Sequence, residues 1–170
     1  MLYNTNPIEK EQEQKLWTIY AWWASVLILK MMSLTWITGR VRVAKQVIHS
    51  EEDRIWMKGN QVIMCPNGGG HPAVDRIRSA HYNDLAIVLP YLLIVPIWLN
   101  TSPCFFSART IMLIFAISNI LSTLMHLEII EAPNLYHIVC RICCTAILMY
   151  ICLSCMIIDA PMSLICKSKL

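Results

Sequence analysis

The sequence predicts an all-α integral membrane protein, built as a bundle of four membrane-spanning helices. Of its 170 residues, 56% are hydrophobic and only 15% are charged, whereas a soluble domain carries roughly a quarter charged residues. The apolar residues fall into four stretches of about 20 residues, the length of a helix that crosses the hydrocarbon core of a bilayer. Because no long soluble stretch separates them, we expect residues 1–170 to form a single domain.

The distribution of apolar residues sets the expected limits of the spans. They are Leu16–Ile37, His81–Leu99, Thr110–Ile130 and His137–Ile158. Pro72 suits the first turn of a helix, so we expect one rod to run from about residue 72 through the second span. Pro90 and Pro96 are expected to kink that rod, which neighbouring helices can tolerate in a membrane.

The distribution of lysine and arginine predicts the orientation. Seven basic residues lie between Gly39 and Ala80, against five in the two termini and the connection between the second and third spans. Cytosolic connections of membrane proteins carry the excess of basic residues. We therefore expect the loop 39–71 in the cytosol and both termini on the opposite side. The acidic start of the chain does not resemble a signal peptide, so the first span is expected to be retained.

Several other classes of function are disfavoured. A net charge of +3 without a run of basic residues argues against nucleic acid as a partner. Six of the eight cysteines lie in or next to the last span, where cysteine usually serves as a small packing residue. The pairs Cys140/Cys143 and Cys152/Cys155 are too far apart on one helix to bind one metal ion. No metal is therefore expected.

Two polar features within or beside the spans need a partner. Lys30 lies inside the first span, where it could either extend toward the interface or pair inside the bundle. The stretch 74–85 combines arginine, histidine, asparagine and aspartate, and on a helix Arg78, His81 and Tyr82 share one face. This mixture suits an anionic, peptide-like ligand. An interfacial collar explains it equally well, so both interpretations stay open.

The same stretch carries a family resemblance. It reads Val-Asp-Arg-Ile-Arg-Ser-Ala-His-Tyr-Asn-Asp-Leu, which resembles the motif Val-Glu-Arg-x-x-Arg-Ala-His-x-Asn-Asp of the MAPEG family of microsomal glutathione transferases. The segments 29–32, 52–53 and 133–134 also resemble family motifs, so the likeness runs from about Leu27 to Asn134. The transferase type is the nearest match, and the prostaglandin E synthase type is a near relative.

The resemblance implies a homotrimer of four-helix bundles that binds glutathione between subunits near the cytosolic face. The implied reaction joins the glutathione thiol to hydrophobic electrophiles that partition into the lipid bilayer, with glutathione peroxidase activity on lipid peroxides as a further expectation. The implied location is the endoplasmic reticulum membrane, with the mitochondrial outer membrane as the alternative.

The family's glutathione-binding positions can be carried over residue by residue. They correspond here to Arg42, Arg78, His81, Asn83 and His126, the last standing where relatives have a tyrosine. No catalytic residue is assigned.

Four family positions have changed. Ser79, Asn119 and Leu135 stand where the family has arginine, and Ala86 stands where it has glutamate. Since a lost buried charge contact costs a few kcal/mol, these changes could weaken glutathione binding considerably. Three hypotheses follow: an active glutathione transferase, a catalytically weak binding or scaffold subunit, and, ranked last, a prostaglandin E synthase-like isomerase.

Overall fold

The computed structural model describes residues 7–48, 51–56, 63–64, 71–131 and 133–158. The four helices are α1 (Pro7–Lys45), α2 (Pro72–Asn100), α3 (Phe105–His126) and α4 (Asn134–Ile158). Two short parallel strands, β1 (Val47–Ile48) and β2 (Ile63–Met64), and a 3₁₀ helix (Glu51–Trp56) lie between α1 and α2. Each of the four helices is long and apolar enough to cross a membrane. The expected all-α membrane bundle is confirmed.

Helix α1 extends past the expected first span at both ends. It begins at Pro7 and continues through Gly39 to Lys45, so the first residues of the expected 39–71 loop are helical. A single glycine costs only about 1 kcal/mol in a helix, and the residues that follow tolerate helical conformation. The helix ends where Gln46 adopts a positive φ of 55°. Residues 49–50, 57–62 and 65–70 of the expected loop lie outside the described residues.

Helix α3 ends at His126, so the prediction that the third span reaches Ile130 was wrong. The N–H of Glu128 donates to the carbonyl of Met125, and the N–H of Ile129 donates to that of Leu124. With Glu128 at φ 57°, these bonds form a Schellman motif, which closes a helix by a left-handed residue. Glycine is usual at that position, so glutamate gave no sequence signal for the end.

Helix α2 begins as its proline suggests and passes through two more. His71 caps the helix through Nδ1, which accepts a hydrogen bond from the N–H of Ala73 at 3.2 Å. Pro96 cannot donate to the carbonyl of Leu92, one turn earlier. The hydroxyl of Tyr20 on α1 donates to that carbonyl instead, at 2.8 Å. This bond satisfies a backbone group that would otherwise be unpaired inside the bundle.

The core lies along the middle of α2, with α1 and α3 packed against it and α4 packed on α2 and α3. Tyr91 and Phe115 stack at its centre, with ring centroids 3.8 Å apart, beside the fully buried Leu27. Many large apolar side chains face outward instead, including Leu93 and Ile97. Outward apolar faces suit a bundle whose surroundings are lipid.

Candidate functional site

A groove between α1 and α2 contains most of the predicted binding residues. We call it the α1–α2 groove. Thr35, Thr38, Gly39 and Arg42 line it from α1, and Asp75, Arg78, Ser79, His81, Tyr82 and Asn83 line it from α2. The structure thus brings Arg42, Arg78, His81 and Asn83 to one surface. It places His126 elsewhere.

Local sequence explains this convergence. The first turns of α2 precede its most apolar part, and the three- and four-residue spacing sets Arg78, His81 and Tyr82 on one face. The helical extension of α1 carries Arg42 alongside that face. The predicted residues therefore meet because α1 continues past its membrane span.

The groove can hold an anionic peptide. Its two arginines can each take a carboxylate through paired N–H donors. The Nδ1 atom of His81 is buried and has no hydrogen-bond partner among the described residues. A buried polar atom of this kind is normally paired with water or a ligand. Asp75 lies in the same groove and can accept from an ammonium group.

A second polar cavity lies on the other side of α2, and we call it the inner pocket. It is lined by residues of α2, α3 and α4: Ala80, Asn83, Asp84, Ile87, Asn119, Ser122, Thr123, His126, His137, Arg141 and Cys144. Asn83 lines both this pocket and the α1–α2 groove. The rings of His126 and His137 are 5.1 Å apart. An opening lined by Arg76, Glu128 and Glu131 shares both histidines with the pocket.

The side chains that line the inner pocket include three hydrogen-bond partners of Lys30. The Lys30 ammonium donates to the Asp84 carboxylate and the Thr123 hydroxyl, each at 2.9 Å, and to the Asn119 side-chain oxygen. A lysine has three donors, so all three are used. Of the two interpretations of Lys30, the structure supports pairing inside the bundle. Asp84 and Asn119 thereby belong to a structural network.

Sequence reasoning did not assign His137 and Arg141 to a site. Arg141 lies near the start of the last span, and His137 entered only as the predicted boundary of that span. An arginine at membrane depth is itself a signal of function. Its neighbours could not be read from the sequence, because they come from two other helices.

The changed family positions lie in different environments. Ser79 lines the α1–α2 groove without bringing a charge to it. Ala86 is exposed, and Leu135 is 66% exposed. Asn119 is buried against Lys30. None of the four adds a positive charge to either cavity.

These features define a class: a four-helix membrane bundle with polar cavities on both sides of its second helix. The family model described as "MAPEG family" matches residues 20–158. The chain belongs to this family, as the motif at residues 74–85 indicated. It is 31% identical to "Prostaglandin E synthase" from Bos taurus over 111 residues, which is 65% of this chain and 69% of the relative. The protein of that name from Homo sapiens is 29% identical over 110 residues, with the same coverage.

Proposed function

We propose that this protein is a glutathione-dependent membrane enzyme that conjugates glutathione to hydrophobic electrophiles. The observation that carries the proposal is the α1–α2 groove, which gathers Arg42, Arg78, His81 and Asn83. The two arginines bind the carboxylates of the tripeptide. His81 and Asn83 hydrogen-bond its amide groups, because an imidazole and a carboxamide each offer nitrogen or oxygen atoms that can donate or accept.

The reaction needs a thiolate near a source of apolar substrate. Bound glutathione supplies the sulfur nucleophile, which forms a C–S bond while the leaving group departs with its bonding electrons. The thiol proton passes to water. The outward apolar faces of the helices put the cavities within reach of electrophiles dissolved in the bilayer. With a lipid peroxide, two glutathione molecules become one disulfide while the peroxide yields an alcohol and water.

The assembly and location complete the proposal. A homotrimer is expected from the family, with the loop between α1 and α2 in the cytosol because that connection carries the excess of basic residues. The membrane is that of the endoplasmic reticulum or the mitochondrial outer membrane. Blue native electrophoresis and protease protection of microsomes test both parts.

Two other functions have specific support. The names of the relatives favour a prostaglandin E synthase-like isomerase, although Ser79 replaces the arginine that enzyme has before the family alanine. The uncharged residues Ser79, Ala86 and Leu135 favour a binding or scaffold subunit with little catalysis. A prostaglandin E formation assay and a glutathione-binding measurement separate these candidates from the transferase.

The test uses the full chain purified in detergent. We expect saturable glutathione binding by calorimetry and conjugation of a chlorinated nitrobenzene above the spontaneous rate. Arg78→Gln should weaken glutathione binding about tenfold, because a hydrogen bond to a charged group contributes roughly 1.5–3 kcal/mol and Arg78 is exposed. Arg109→Gln, an exposed arginine at the start of α3, is the matched control.

Each outcome has a clear meaning. Absence of binding at millimolar glutathione overturns the proposal. Binding without any conjugation favours the scaffold, and prostaglandin E formation without conjugation favours the isomerase. Equal losses in the Arg78 and Arg109 variants remove the groove from the argument.

A further inference from the structure

Arg141 is a cation on a membrane-spanning helix and has no ionic partner in the part of the chain that the structure describes. It lies in the first part of α4 and is half-buried. Its guanidinium forms no ion pair and no hydrogen bond with the described residues. A charge at this depth is costly unless an opposite charge or a set of acceptors meets it. An anion from outside the bundle can supply that partner.

The acidic groups near the start of α4 do not neutralise this charge. The carboxylates of Asp84 and Glu128 are each paired with another basic side chain. Glu131 makes no ion pair with Arg141. His137 lies one helical turn before Arg141, on the same face, and brings no negative charge. A guanidinium and an imidazole therefore lie together without a carboxylate.

The side of α4 that carries these two residues is divided into a polar and an apolar part, and we call it the outer α4 surface. His137 and Arg141 form its polar part. Its apolar part includes Ile142, Ala146 and Met149, all exposed and spaced as residues of one helical face. A lipid has the same division, because it joins a charged headgroup to an acyl chain.

The length of the apolar part also suits a lipid. The helix rises about 12 Å from Arg141 to Met149, at about 1.5 Å per residue. Half of the hydrocarbon core of a bilayer is about 15 Å thick. An acyl chain of one leaflet can therefore follow the apolar part while its headgroup stays at Arg141.

The polar part lies near the end of the bundle that carries the loop between α1 and α2. Arg76, in the first turns of α2, is paired there with Glu128, which lies shortly before α4. In the proposed orientation this end is cytosolic, and the cytosolic leaflet contains anionic phospholipids. A zwitterionic lipid brings its own cation to its phosphate, whereas an anionic lipid leaves the phosphate charge for Arg141.

We propose that Arg141 and His137 bind the phosphate of an anionic phospholipid whose acyl chain lies along the outer α4 surface. An arginine offers paired N–H donors to two phosphate oxygens, and the imidazole adds a further donor. The bound lipid neutralises the guanidinium and covers the exposed apolar residues at the same time. This site goes beyond the proposed glutathione reaction and does not depend on it.

The experiment counts bound lipids by native mass spectrometry of the full-length protein in detergent. The probes are dioleoylphosphatidylglycerol, which is anionic, and dioleoylphosphatidylcholine, which is zwitterionic. We expect the wild type to bind the anionic lipid more tightly. Arg141→Gln should weaken that binding about tenfold and remove the preference, because it removes a charged hydrogen-bond donor. Arg141→Lys should keep the preference, and Arg109→Gln, an exposed arginine at the start of α3, is the control.

A variant in the apolar part tests the acyl chain separately. Ile142 is exposed, so Ile142→Gln should fold normally. It should weaken both lipids by a similar factor and leave the preference for the anionic one unchanged, because it removes apolar contact without changing charge. Equal binding of both lipids to Ile142→Gln and to the wild type contradicts this placement of the acyl chain.

Four results overturn the inference. The first is a wild type without preference, and the second is an Arg141→Gln variant that keeps it. The third is displacement of the anionic lipid by millimolar inorganic phosphate, or binding of oleate as tight as that of the phospholipid, which indicates a site for a free anion or a fatty acid. The fourth is dissociation of the oligomer by Ile142→Gln on blue native gels, which indicates a contact with a second copy of the chain. If Arg141→Gln does not fold, His137→Gln must show a smaller loss of the preference, or the inference fails.

Discussion

Lys30 and Arg141 are two cations at membrane depth, and they differ in the partners that the bundle offers them. Lys30 donates to three acceptors supplied by α2 and α3, so its charge and all its donors are used within the bundle. Arg141 on α4 lines the inner pocket, as those acceptors do, and has no such partner among the described residues. The difference separates a charge that holds helices together from a charge that is available to a ligand.

The Lys30 network includes one changed family position. The side-chain oxygen of Asn119 accepts a hydrogen bond from the Lys30 ammonium. Asn119 therefore has a structural role in the bundle, at a position where the family resemblance implies a charge.

The largest expected effect comes from breaking the buried ion pair between Lys30 and Asp84. Lys30→Met leaves the Asp84 carboxylate buried without its cation, and removing one partner of a buried pair typically costs about 3–5 kcal/mol. Unfolding by sodium dodecyl sulfate in mixed micelles measures the loss. Lys15→Met is the matched control, because Lys15 pairs with Glu11 on the exposed start of α1. It should leave stability essentially unchanged.

A second variant distinguishes the lost charge from lost packing. Asp84→Asn in the Lys30→Met background removes the unpaired carboxylate, so it should recover more than half of the lost stability. If the double variant is as unstable as Lys30→Met, the loss of stability comes from packing around the lysine side chain. The contrast between a paired Lys30 and Arg141 would then have less support.

The partners of these polar residues show which parts of the structure the sequence could predict and which it could not. Four apolar stretches predicted the bundle, and local spacing placed Arg78 and His81 together, because both signals lie within one helix. The partners of Lys30 come from two other helices, so no local pattern connects them. The grouping of His137 and Arg141 with His126 was not predicted for the same reason, because these residues lie on two different helices. The end of α3 was missed because glutamate, instead of glycine, takes the left-handed position at residue 128.

An intermediate effect compares the hydroxyls of Tyr20 and Tyr91, of which only that of Tyr20 has a partner among the described residues. Tyr20→Phe removes the donor to the Leu92 carbonyl, which Pro96 cannot replace, and should cost about 1–3 kcal/mol for an unsatisfied buried acceptor. The hydroxyl of Tyr91 is buried with no partner among the described residues. Tyr91→Phe keeps the stacking on Phe115 and should be neutral or slightly stabilising. The same detergent unfolding assay measures both.

The order of the two variants is the decisive result. If Tyr91→Phe destabilises as much as Tyr20→Phe, the Tyr91 hydroxyl has a partner such as a bound water. The number of hydrogen-bond partners within the bundle would then no longer distinguish polar groups that are already paired from polar groups that can bind a ligand.

The smallest effect is expected at the opening of the inner pocket. Arg76 and Glu128 form an ion pair there, but their side chains are 39% and 65% exposed. Exposed pairs usually contribute 0–1 kcal/mol, so Arg76→Met should lower stability by less than about 1 kcal/mol. A cost comparable with that of Lys30→Met would show that this exposed ion pair stabilises the bundle as strongly as the buried one.

Glu128→Gly tests the same ion pair, because this substitution has two small and opposing effects on stability. Glycine relieves the left-handed conformation, by about 1–2 kcal/mol, and removes the ion pair with Arg76. In the Arg76→Met background only the relief remains, so the substitution should stabilise more there than in the wild type. The difference between the two backgrounds measures the ion pair alone. A difference below about 1 kcal/mol means that this ion pair stabilises the Schellman turn only weakly.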